Sequence, residues 1–308
     1  MTQTPPPVPD APAPTSEGLH RLHADGVTAL VNRDGAELQS LIGGDGRELL
    51  WQAGPVWPRH APVLFPIVGK LAGDRLRHGG TSYRMTQHGF ARDRRFEWVE
   101  RGPASCRLAS RDDALTRRAY PFAFLFEVSY AVADGALRSV FSVTNTGAEV
   151  LPASVGAHPA FRWPLSDGVP KEAHRLEFEA PETAPVRRLR DGLLDDAAEP
   201  TPVQGRKLAL SEALFERDAL ILDRPASRSV RYVAEDGTAI EVSWSGFAQL
   251  GLWSKPGGDF LCIEPWYGTA DPVGFDGEFA DKPGLMLLQP GERRSFEWRA
   301  KPYPGRGR

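Results

Sequence analysis

The chain has 308 residues and a formal net charge of −3, with Lys+Arg at 37 against Asp+Glu at 40. That balance disfavours a nucleic-acid binder, which needs a surplus of cations, and no run approaches the roughly 18 apolar residues of a membrane span. Glycine (31) and proline (28) make up nearly a fifth of the chain, which suits many turns and disfavours a helical bundle.

The first 17 residues, MTQTPPPVPDAPAPTSE, hold six prolines and no apolar core of a secretory signal. Residues 1–20 are therefore expected to form a disordered proline-rich tail, residues 21–303 a single β domain, and residues 304–308 a frayed end. From Val27 onward, short stretches alternate apolar and polar residues. The clearest is Pro121–Ala131, where Phe122, Phe124, Phe126, Val128 and Tyr130 share one face. Ile240, Val242 and Trp244 alternate with Glu241 and Ser243, and Phe296 and Trp298 with Glu297 and Arg299. Further strands are expected at Val27–Asn32, Leu49–Gln52, Phe96–Glu100, Cys106–Ser110, Leu137–Thr144, Leu176–Glu179, Ala219–Leu222, Ser229–Val233, Leu250–Trp253, Phe260–Ile263 and Leu285–Leu288. Turn dipeptides such as Asp34-Gly35, Asp134-Gly135 and Asp236-Gly237 separate them, and the GGDG at Gly43–Gly46 reads as a hairpin turn. Helices are expected to be few and short, at Arg111–Ala119, Pro170–His174 and Ser211–Phe215. The pattern is that of an all-β sandwich or barrel. Cys106 and Cys262 lie in no metal or disulfide spacing, which fits a reducing, cytoplasmic setting.

Three segments set an ionisable side chain among aromatics and beside glycine or proline: Gln87–Asp93 (QHGFARD), Gly156–Phe161 (GAHPAF) and Cys262–Tyr267 (CIEPWY). His158 and Glu264 both precede proline, which holds their backbone extended and stiff. Each residue by itself reads more often as a structural group: a hydrogen-bonded histidine, or a glutamate at a turn. Together, one carboxyl, two imidazoles and the aromatics Trp57, Trp163, Trp253, Trp266 and Tyr267 make a set suited to proton transfer on a sugar. Phe260, Trp266 and Tyr267 are expected to desolvate Glu264 and raise its pKa.

These segments, together with Gly35–Leu38 (GAEL), Glu48–Gln52 (ELLWQ), Ala61–Leu71 (APVLFPIVGKL), Asn145–Gly147, Gly251–Gly257 (GLWSKPG) and Cys262–Asp271 (CIEPWYGTAD), resemble the aldose 1-epimerase (galactose mutarotase-like) family. The resemblance is strongest to the family's LacX-like bacterial branch and spans roughly residues 25 to 300. It implies a large antiparallel β-supersandwich, a small-molecule aldose as substrate, interconversion of α and β anomers, no cofactor and no metal. A monomer or homodimer fits it equally. By the same resemblance, Glu264 is the catalytic base, His158 the catalytic acid and His88 a second active-site histidine. Asp218, Trp253 and Trp266 would meet the sugar. Lys70 stands where many relatives carry arginine; lysine lacks the planar two-point contact, so Lys70 as a point donor, or Arg59 or Arg92, would serve the hydroxyls. A hexose-6-phosphate 1-epimerase is the alternative within the family, with Arg59, Lys70, Arg92, Arg94 and Arg95 as phosphate ligands. A non-catalytic carbohydrate-binding protein would not need the acid–base set, and a glycoside hydrolase would need a second carboxylate across the bond.

Overall fold

The computed structural model describes residues 18–305. The tail assigned to residues 1–20 lies almost wholly outside them, but its boundary falls earlier: Leu19 and His20 already open a strand, Leu19–Ala24, that pairs with Val27–Asn32.

Two sheets dominate. The nine-stranded sheet runs in the order Lys207–Ala209, His174–Phe178, Ser229–Ala234, Ala239–Ser245, Arg293–Tyr303, Ala136–Asn145, Phe124–Ala133, Ser105–Arg111, Glu97–Arg101. The eight-stranded sheet runs Leu193–Glu199, Val186–Arg190, Leu220–Leu222, Gln249–Trp253, Phe260–Tyr267, Val155–Ala157, Val63–Leu64, with Ala160–Arg162 also pairing Phe260–Tyr267. A three-stranded sheet (Leu19–Ala24, Val27–Asn32, Glu37–Ile42) and two small pairs complete the strands.

The alternation in the sequence decides what each face does. Phe124, Phe126, Val128 and Tyr130 are all buried in a core shared with Leu250, Leu252, Leu261 and Ile263 of the other sheet. The two sheets thus pack face to face as an antiparallel β-sandwich. The remaining positions of the eight-stranded sheet point the other way. Ile221, Trp253, Cys262 and Trp266 gather in small apolar clusters on its outer face, around Glu264.

Two expectations change. Leu49–Gln52 is not a strand: the Glu48 carboxylate accepts the backbone N–H groups of Leu41, Leu49 and Leu50, so side-chain bonds replace most of a ladder. Only the isolated Leu50–Phe161 bridge remains there. The expected helices shrink to single 3₁₀ turns at Thr116–Arg118, Lys171–Ala173 and Glu212–Phe215. The GGDG segment is the expected tight turn, with Gly43 N–H donating to Arg47 O at 3.0 Å.

Candidate active site

A cleft of about 300 Å³ opens on the outer face of the eight-stranded sheet. Glu264, His158, His88, Asp218, Arg92, Trp253 and Trp266 all line it, although they come from segments far apart in the chain.

Glu264 sits in the long strand Phe260–Tyr267, which is buried along almost its whole length. Val155–Ala157 and Ala160–Arg162 pair with this strand on one side, with Gly156 opposite Trp266 and Ala160 opposite Cys262. The intervening His158-Pro159 breaks the ladder, and the common register puts His158 opposite Glu264. His158 Nε2 lies 3.2 Å from Glu264 Oε2. On the other side Gly251 faces Glu264. A Cβ on Gly251 would come within 2.5 Å of the Trp266 ring, and one on Gly156 within 2.7 Å. The two glycines therefore leave the trough in which the Trp266 indole lies.

His158 is packed between tryptophans. Trp57 stacks on its ring at 5.1 Å and 24°, and Trp253 meets it edge-on at 5.8 Å and 85°. His88 lies 5.6 Å away, nearly perpendicular. His88 itself adopts φ +66, and a Cβ on the following Gly89 would sit 2.3 Å from Phe65 O, so only glycine fits this turn. Gly69 anchors the imidazole: His88 N–H donates to Gly69 O at 2.8 Å, and Gly69 N–H donates to His88 Nδ1 at 3.1 Å. With Nδ1 accepting, the ring proton of neutral His88 belongs on Nε2.

Burial drives every ionisable group of the dyad toward its neutral form. Glu264 is held well above the ordinary carboxylate range by desolvation and by the Asp218 charge. His158 is pulled down to about 3 by desolvation, reinforced by the Arg92 and Arg59 guanidiniums. His88 is lowered well below 6.5 by burial, then by His158, Arg92 and Arg59. Arg92 is lowered to about 10 by burial and by Arg59. Glu264 Oε2, His158 Nδ1 and Trp266 Nε1 are buried without a hydrogen-bond partner among the described residues.

Two proposed sugar contacts lie elsewhere. Arg59 is paired with Asp93 at 2.8 Å, outside the cleft lining. Lys70 follows the cleft residue Gly69, but its side chain runs against Gly192. Trp163 is fully buried, donating to Lys171 O at 2.9 Å, and so belongs to the core. Tyr267 does not desolvate Glu264: three positions on, it falls on the opposite face of the strand, against Phe296 and under Arg294. Trp57, Gln87, Gly69, Leu189, Ala219, Ile221 and Ala270 complete the lining. Of these, Gln87, Gly69 and Ala270 fall in the segments QHGFARD, APVLFPIVGKL and CIEPWYGTAD, and Trp57 is among the aromatics read from the sequence, whereas Leu189 carried no signal.

The model of the family described as aldose 1-epimerase matches residues 19–300. The chain belongs to the aldose 1-epimerase family. It is 34% identical over 269 residues to "Protein LacX, plasmid" of Lactococcus lactis subsp. lactis, covering 83% of this chain and 90% of that protein. Among solved structures, a galactose mutarotase related enzyme from Lactobacillus acidophilus superposes with a TM-score of 0.87 at 33% identity, covering 93% of this chain and 98% of that one. A galactose mutarotase-like protein from Lactobacillus casei ATCC 334 gives 0.86 at 28% identity, covering 93% of this chain and all of that one. Membership in this family makes the chain an epimerase of the mutarotase type, with a sugar as its class of substrate. The fold is the family's β-sandwich. No helix among the described residues is long and apolar enough to cross a membrane.

Proposed function

We propose that this aldose 1-epimerase family member interconverts the α and β anomers of a neutral free hexose, using Glu264 and His158 as its proton-transfer pair and no cofactor. The observation that carries the reading is the contact of 3.2 Å between the two groups inside a buried cleft. Anomer exchange needs a proton taken from O1 and another given to the ring oxygen. A protonated Glu264 beside neutral His158 holds the same number of protons as a carboxylate beside imidazolium. The pair can therefore pass between these forms without changing the net charge of a desolvated site, where an unpaired charge is costly. In the second form Glu264 takes the O1 proton while His158 protonates O5, and the C1–O5 bond opens. Rotation about C1–C2 presents the other carbonyl face, and both transfers reverse on closure. His88 Nε2–H, Asp218 and Arg92 serve the hydroxyls, and the Trp253 and Trp266 rings flank the pyranose. The three unpartnered buried polar atoms fit a site meant for a polyhydroxylic ligand.

Charge favours a neutral sugar over a hexose 6-phosphate. Arg59, Arg94 and Arg95 are matched to Asp93, Asp113 and Asp34. Arg92 is the one cation in the cleft lining, which also holds the carboxyls of Asp218 and Glu264, and its guanidinium already donates to Gln87 O, leaving no cationic surplus for a phosphate.

The test is proton NMR of anomer exchange on freshly dissolved α-glucose, α-galactose and glucose 6-phosphate. Acceleration of a neutral sugar that drops by about 10²–10⁴-fold in Glu264→Gln and in His158→Asn is expected. Full activity in either variant would remove that residue from the chemistry, and a preference for the phosphorylated sugar would reverse the charge argument.

A further inference from the structure

Below the proton-transfer pair lies a third group that the proposed reaction does not use. Cys262 stands two residues before Glu264 on the same face of the strand and opposite Ala160. It is fully buried among Phe260, Ala160, Trp51, Trp57 and Trp253, and its thiol is free. One ring nitrogen of His158, Cys262 Sγ and one carboxylate oxygen of Glu264 all lie within 4.8 Å of one another. We propose that His158, Cys262 and Glu264 form a binding site for a soft divalent cation of the Zn²⁺ type, and that its occupation shuts off the enzyme. The binding part stands by itself; the inhibitory part rests on the role proposed for the Glu264–His158 pair.

The donor set is the one zinc prefers: one sulfur, one imidazole nitrogen and one carboxylate oxygen. Zinc–ligand bonds of about 2.0–2.3 Å place tetrahedral ligands roughly 3.3–3.8 Å apart. The His158–Glu264 contact, at 3.2 Å, already stands at that spacing. The thiol needs to close by only about 1 Å, within reach of side-chain rotation. Glu264 Oε2 is buried with no hydrogen-bond partner, so the 3.2 Å contact with His158 Nε2 is the one an ion would replace there. The cleft side is open to supply the fourth ligand, a water or a sugar hydroxyl. Charge also balances: a thiolate and a carboxylate neutralise a divalent ion, so a complex surrounded by four aromatic rings carries no net charge. Uptake forms one bond each to sulfur, nitrogen and oxygen and releases two protons, one from the thiol and one from the Glu264–His158 pair. The metal then occupies the positions from which both protons are moved.

The experiment uses the full reduced chain, kept free of oxygen. Cobalt(II) serves as the spectroscopic probe, because a thiolate ligand gives it a near-ultraviolet charge-transfer band. Zinc is titrated against a chromophoric chelator, and anomer exchange is followed in parallel. We expect one ion per chain, a cobalt band in the wild type and in Cys106→Ala, and no band in Cys262→Ala or Cys262→Val. Both Cys262 variants should keep the basal exchange rate and need at least ~100-fold more zinc for half-inhibition, the scale of one lost ligand. A band that survives removal of Cys262, or a wild type without one, overturns the site. A band accompanied by unchanged exchange overturns the inhibitory role. If the band appears but no protein accelerates exchange of any aldose, the proposed reaction fails and the metal site does not.

Discussion

Trp57 lies nearly flat on the His158 ring, and its own backbone is pinned by Trp51 Nε1–H, which donates to Trp57 O at 2.8 Å. An aromatic stack is worth about 0.5–1.5 kcal/mol, and its removal also lets water reach the imidazole. Trp57→Ala should therefore lower kcat/KM by up to ~10-fold. It should also move the acid limb of the pH profile upward, as the His158 pKa climbs from about 3 toward its ordinary 6.5. Trp57→Phe should restore both, and a pH profile unchanged in Trp57→Ala would deny Trp57 this influence. At this scale, sequence leaves structural and catalytic histidines alike. His174 also packs on an aromatic ring, Tyr232, but its Nδ1 donates to Pro170 O while Nε2 accepts from Leu165 N–H, so both ring nitrogens are satisfied. His158 differs by having Nδ1 unpartnered, a property of its neighbours in space. Lys70 misled for a related reason: its chain position beside Gly69 is at the cleft, yet the side chain leaves toward Gly192.

Among the elements, the strand Phe260–Tyr267 shows what a two-residue period can and cannot reveal. Its period separates Leu261 and Ile263, in the core, from Glu264 and Trp266, at the cleft, and the same parity removes Tyr267 from the site. What pairs with this strand was not legible. Val155–Ala157 and Ala160–Arg162 are three residues each, too short to show any alternation. The long strand Phe124–Ala133, with its aromatic row, was plain from the start. Room for the Trp266 ring depends on the neighbouring glycines, which suggests a direct test. In Gly251→Ala the new methyl would stand 2.5 Å from the indole, and backbone pairing on both sides prevents the strand from yielding. Such overpacking costs about 1–3 kcal/mol. Thermal unfolding should show that loss, and sugar KM should rise as the ring is displaced into the cleft. An unchanged Tm and KM would mean that the ring is free to move.

Across the whole molecule, stability should depend on acid in a calculable direction. Desolvation lowers the pKa values of His60, His88, His158 and His174 in the folded protein. Between those lowered values and about 6.5, the unfolded chain binds more protons than the folded one. Their contribution is therefore fully present above pH 6.5 and is lost as pH falls through the folded values. Glu264 acts oppositely: its raised pKa makes its burial costly above about pH 4.5, and acid relieves that cost. Asp271, raised by burial, acts the same way as Glu264, and with four histidines against these two carboxyls Tm should fall between pH 7 and pH 4, and fall less in His158→Asn. A Tm that is flat over this range would contradict the neutral, buried state of these imidazoles.

The break at His158-Pro159 has a consequence for how this scaffold can change. The proposed acid and base are spaced by one ladder, whereas Trp57, Arg92 and Asp218 all project from connections between strands. The proposed polar sugar contacts of Arg92 and Asp218 thus reside on mechanical parts separate from the ladder, which carries the proposed proton-transfer pair and the Trp253 and Trp266 rings. Exchange of three loops can retool the specificity while the reactive pair stays in alignment, which makes the ladder a chassis and the loops its interchangeable fittings.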